Sequence, residues 1–80
     1  MTRIEAVFGG VERVKGILAG LAPEVQGAIL TECFSIWLAG HHVEGDEGKT
    51  RTLREELLNL HWFTVRDLIP INAKELGTTQ

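Results

Sequence analysis

Cys33, His41, His42 and His61 are the side chains in this 80-residue sequence with the chemistry to bind a soft metal ion or to form a nucleophile–base pair. Their spacing argues against both uses. Successive residues of a regular helix point about 100° apart, so the adjacent His41 and His42 cannot serve one ion from a helix. No Cys-x-x-Cys, His-x-x-x-His or His-Glu-x-x-His pairing occurs, and local pairing of ligands is what a structural zinc site usually requires. A Cys–His nucleophile needs an orienting third group and an oxyanion site, neither of which the sequence suggests. Cys33 therefore reads as a small buried hydrophobe. The chain is expected to be no enzyme and to carry no metal or cofactor.

The run Gly45-Asp46-Glu47-Gly48-Lys49-Thr50 superficially resembles a phosphate-binding loop. That motif needs a further glycine where Val43 stands and a buried strand before the loop. What precedes it here reads as a helix, and Asp46 and Glu47 would repel phosphate. The run is expected to be a solvated linker between helices.

Glu32 and His61 form a more specific pair. Both stand in apolar surroundings, and a buried polar group needs a partner. If two antiparallel helices turn between His42 and Thr52, facing residue numbers total roughly 94, given the rise per residue of a helix. His61 then lies level with Cys33 and one step from Glu32, which predicts a Glu32–His61 hydrogen bond. The bland alternative has Glu32 reaching solvent and His61 bonding a backbone carbonyl.

Three helical segments must position these residues. The first opens with Thr2 and Glu5 at capping-box spacing. Ile4, Val7, Val11, Val14, Leu18 and Leu21 then recur in steps of three and four, the seam that buries one stripe against another helix. Gly9, Gly10, Gly16 and Gly20 weaken it, each by about 1 kcal/mol relative to alanine, and Gly9-Gly10 could kink it. The second helix is expected from Pro23, which suits a first turn, to His41 or His42. Between Glu24 and Glu44 it carries one charge, Glu32. Gly27, Ala28, Thr31, Ser35 and Ala39 form a small-residue strip that would allow close backbone approach, and bulky residues fill the rest. A helix this apolar must be covered by other helices. The third is expected over Leu53–Ile69, capped by Thr52 with Glu55 and ended by Pro70, with 70–80 a short turn and frayed tail.

The predicted fold is all-α: one domain over 1–80, a small bundle of three helices made of a helical hairpin plus an N-terminal helix, completed by homodimerisation. Eighty residues supply little material to cover so much apolar surface. The expected contact residues are Val7, Val11, Val14 and Leu18 on the first helix, Ile29 and Trp37 on the second, and Phe63 on the third. Phe63 falls between Asn59 and Arg66 on a polar face, whereas Phe8, Phe34, Trp37 and Trp62 read most simply as core.

Charge and cysteine content narrow the function classes. The formal net charge is −3, with 24% charged residues and no basic stripe, so a nucleic-acid partner is not expected. A membrane span is not expected either, because polar residues and Glu32 interrupt Val25–Val43. A lone cysteine and the lack of a signal-like start point to the cytoplasm. These readings favour a small non-enzymatic protein–protein interaction protein: an adaptor, regulator or assembly subunit acting through apolar helix faces, as a homodimer and with another protein as a further partner. The alternative is a ligand- or metal-binding sensor module with its site between helices near Cys33 and His61.

Overall fold

A computed structural model describes residues 1–78 of the chain. Over these residues it forms three α-helices and no strands: α1 (Arg3–Leu18), α2 (Pro23–Ala39) and α3 (Glu47–Leu76). Contacts divide the chain into two units, Met1–Cys33 and Phe34–Gln80. The division falls within α2.

In the first unit, α1 starts where the capping box places it. Thr2 Oγ1 accepts from the Glu5 amide at 3.1 Å, and Glu5 Oε1 accepts from the Thr2 amide at 3.4 Å. The helix is α-helical through Gly9, Gly10 and Gly16. It ends at Ala19, whose backbone turns extended, and Gly20 follows at φ +80°, a left-handed conformation that glycine adopts without steric cost. Pro23 then opens α2. The Gln26 side chain reaches back and donates Nε2–H at 2.8 Å to the Leu18 carbonyl, which also accepts from the Leu21 amide at 3.1 Å. The Lys15–Glu12 ion pair at 3.1 Å is solvent-exposed and contributes little.

In the second unit, the end of α2 runs through a short connection into α3. Arg54, on the second turn of α3, holds this hairpin together. Its Nε donates to the His41 carbonyl at 3.0 Å and its Nη2 to the Ala39 carbonyl at 2.8 Å. A cation at a helix C-terminus is favoured by both the free carbonyls and the helix dipole. Thr50 ties the connection from the other side, its Oγ1 accepting from the Val43 amide at 2.9 Å.

The ends of α3 differ from expectation on both sides. Asp46, not Thr52, is the N-cap, accepting from the Lys49 amide at 2.9 Å. Aspartate is the stronger capping residue, and Gly45 at φ +75° delivers the chain to it. Thr52 lies inside the helix and donates to the Gly48 carbonyl. The supposed linker residues Gly48-Lys49-Thr50 are therefore helical. Pro70 does not end α3 but sits inside it. It removes one amide and costs about 3 kcal/mol in a helix interior, yet Ile71–Leu76 continue the helix. The stop is Gly77, left-handed at φ 72°. The Thr78 amide bonds the Ala73 carbonyl at 2.8 Å and the Gly77 amide bonds the Lys74 carbonyl at 3.2 Å, the paired closure of a Schellman motif. The frayed tail expected after Gly77 falls partly on Thr79 and Gln80, outside the described residues. The second helix is also shorter than expected, ending at Ala39.

No described residue is buried. Half-burial in the second unit gathers at Phe34, Leu38 and His41 of the α2 end and at Leu53, Arg54, Leu57 and His61 of α3. Beyond His61, α3 is exposed at every described position except Ala73. With so little packing, directional polar contacts carry the hairpin. Arg54→Ala should destabilise it by about 2 kcal/mol, the scale of hydrogen bonds to a charged group, and Arg54→Lys should recover part of the loss. Chemical denaturation followed by helical circular dichroism checks both.

Candidate interaction surface

The second unit contains an aromatic cluster that fixes what is covered and what is open. Phe34 and Trp37 stack with centroids 5.8 Å apart. His61 presents its ring edgewise to both, 6.1 Å from Phe34 and 4.9 Å from Trp37. His41 takes the other edge of Trp37 at 4.6 Å. Each histidine uses Nδ1 within its own segment: that of His61 lies 2.8 Å from the Leu57 carbonyl and that of His41 2.7 Å from the Trp37 carbonyl. A carbonyl oxygen only accepts, so Nδ1 carries the proton in both rings. Both imidazoles thus serve as rigid aromatic edges bonded to the backbone.

A second aromatic group lies further along α3. Trp62 and Phe63 meet edge to face at 5.3 Å. The Arg66 guanidinium lies over both, 5.0 Å from the Trp62 centroid and 5.4 Å from that of Phe63. Contacts of this kind contribute about 0.5–1 kcal/mol when exposed. Exposed tryptophan beside arginine is the composition that dominates protein–protein hot spots.

The residues singled out from the sequence fall into distinct settings. Val7, Val11 and Val14 are exposed on α1, and Leu18 and Ile29 are half-buried in the first unit. Trp37 is 41% exposed despite its aromatic neighbours, and Phe63 is exposed beside Trp62. Glu32 is exposed in the first unit, and His61 is half-buried in the second. Cys33, expected to be buried, is an exposed free thiol. Phe8 and Trp62, expected in the core, are exposed as well, because neither unit has enough chain to cover them.

Arg54 and Gln26 were not picked out by sequence reasoning. A signal existed for Arg54: it is a cation on the apolar face of α3, between Leu53 and Leu57. Such a placement needs an acceptor nearby, and a helix C-terminus is the usual one. Among the described residues, no group of three or more His, Cys, Asp or Glu side chains could hold a metal ion. No helix among them is long and apolar enough to cross a membrane. The chain matches no family model, no curated protein and no solved structure.

His61→Ala should cost about 1 kcal/mol, because it removes edge contacts to two aromatic rings, while α3 stays helical. Urea unfolding monitored by tryptophan fluorescence reads the change directly. A loss several times larger would show that these edge contacts are not all that His61 contributes.

Proposed function

We propose that this chain is a non-enzymatic protein–protein interaction protein, an adaptor, regulator or assembly subunit, that works as a homodimer through apolar helix faces. One observation carries the reading. No described residue is buried, so neither unit encloses a core of its own and each leaves apolar side chains in need of cover. The composition of the exposed surface supports the same reading. Ile4, Val7, Phe8 and Ile17 on α1, and Trp62, Val65, Ile69 and Ile71 on α3, all stand more than half exposed. Exposed apolar side chains in such number on both helices support an interaction role.

Two of the groups that could have served catalysis have other partners. Both His41 and His61 hold backbone carbonyls and aromatic rings. The lone, exposed thiol of Cys33 suits a reducing compartment, which supports a cytoplasmic setting.

Light scattering coupled to size exclusion tests the proposal. The wild-type chain should run at twice its 8.9 kDa mass and persist as a dimer on dilution. Val11→Asp, on the exposed seam of α1, should weaken association while leaving the helical content intact. A folded mutant with unchanged mass would remove the α1 seam from the interface. A monomeric wild type would count against self-association altogether.

A further inference from the structure

We infer that Pro70 divides α3 into two parts of different stability, and that the stretch beyond it, Ile71–Thr78, opens and closes as one arm while the hairpin of α2 and α3 stays folded. The inference does not rest on self-association. It concerns a conformational device within α3 itself.

Side-chain contacts stop on one side of Pro70 and resume on the other. On the near side, His61 meets Phe34 and Trp37. Thr64 Oγ1 donates to the Leu60 carbonyl at 3.0 Å, and Arg66 lies over Trp62 and Phe63. The series ends there. On the far side, the closure at Gly77 bonds only the Ala73 and Lys74 carbonyls, and Thr78 Oγ1 donates to the same Ala73 carbonyl at 3.2 Å. Among the described residues, no side-chain hydrogen bond, ion pair or aromatic contact crosses Pro70.

The backbone is interrupted at the same place. Pro70 lies inside the helix and has no amide, so the Arg66 carbonyl lacks its partner four residues on, and the proline ring crowds that carbonyl. Ile69 is disfavoured in helical geometry as well, because it precedes a proline. Two neighbouring positions thus oppose the helix where little packing supports it: Leu68, Ile69 and Ile71 are 44%, 60% and 59% exposed.

A segment as short as the arm is not helical on its own in water. It is helical because the turn before it is, and Pro70 weakens that one link. Breaking the helix there relieves the crowding at Arg66 and Ile69 and gives up only bonds within or into the arm. The open form therefore lies close in free energy to the closed one. Gly77 acts in the other direction: left-handed at φ 72°, it closes the last turn and makes the arm shut as a unit. An element balanced in this way changes state with a small change in its surroundings, as the least stable segments of a fold do.

Amide hydrogen exchange of the whole chain, read residue by residue by NMR, tests this. The amides of Ile71–Leu76 should share one protection level, at least about tenfold below that of Leu57–His61, with the step falling at Pro70. Pro70→Ala restores the missing amide and removes the crowding. It should slow exchange of Ile71–Leu76 by up to about 100-fold and leave Leu57–His61 unchanged. Gly77→Ala strains the left-handed closure and should speed all the arm's amides alike, by about fivefold. Equal protection of Ile71–Leu76 and Leu57–His61 in the wild type would overturn the inference. So would a smooth decline from Trp62 to Leu76 with no step, which is ordinary end fraying, or rates in the arm that Pro70→Ala leaves unchanged. A Gly77→Ala effect confined to Leu76 would overturn it too, because the arm would then not move as a unit.

Discussion

Arg54 gripping the end of α2 is the contact on which the second unit depends. Its two hydrogen bonds to the Ala39 and His41 carbonyls set where α2 stops relative to the second turn of α3. In a well-packed bundle, side-chain interdigitation would fix that relation. Here no described side chain is buried, so packing supplies only half-covered contacts. The two charge-assisted bonds, together about 2 kcal/mol, outweigh any single one of them. Once that register is set, His61 falls against Phe34 and Trp37. The stripe of α3 containing Leu57 and His61 is then used, and the one containing Leu58 and Trp62 is left open. Gln26 plays the corresponding part in the first unit by bonding the Leu18 carbonyl. In both units a side chain from the following helix bonds a carbonyl at the end of the preceding one.

Local chemistry made part of this legible in the sequence. The capping box at Thr2 and Glu5 acts over three residues and depends on no tertiary contact, so α1 begins where it should. The antiparallel register was legible too, since Phe34 meets His61 and His41 lies beside Arg54, close to the pairing that a turn before Thr52 requires. The ends of α3 were misjudged where two valid signals competed. Thr52 with Glu55 has capping-box spacing, but Asp46 after a left-handed Gly45 caps earlier, and once the helix has started Thr52 is merely inside it. Pro70 removes one hydrogen bond, a loss that a long exposed helix absorbs, while Gly77 offers a full Schellman closure. The placement of Phe8 and Trp62 was misjudged for another reason. An apolar residue in an amphipathic pattern marks a face that wants cover, and the pattern does not say whether the cover comes from the same chain.

The glycines bear on that last point. A Cβ built at Gly9, Gly10, Gly16 or Gly27 would meet nothing within 4 Å. The single chain therefore has no steric need for glycine at these positions, yet each weakens its helix by about 1 kcal/mol relative to alanine. Pro70 adds a further cost inside α3. Helices weakened in this way, with half-exposed valines, leucines and aromatics on their faces, gain little from folding alone, because small domains are already marginal. Under the proposed reading the missing stabilisation comes from association, and folding and assembly are then coupled: the apolar area that one chain leaves in water is the same area that makes the dimer stable. Glycine on the faces of α1 and α2 fits that coupling physically. It lowers the stability of the free helix and leaves room for a partner backbone to approach. The weakness of the isolated chain and the strength of its association would then be two consequences of one composition.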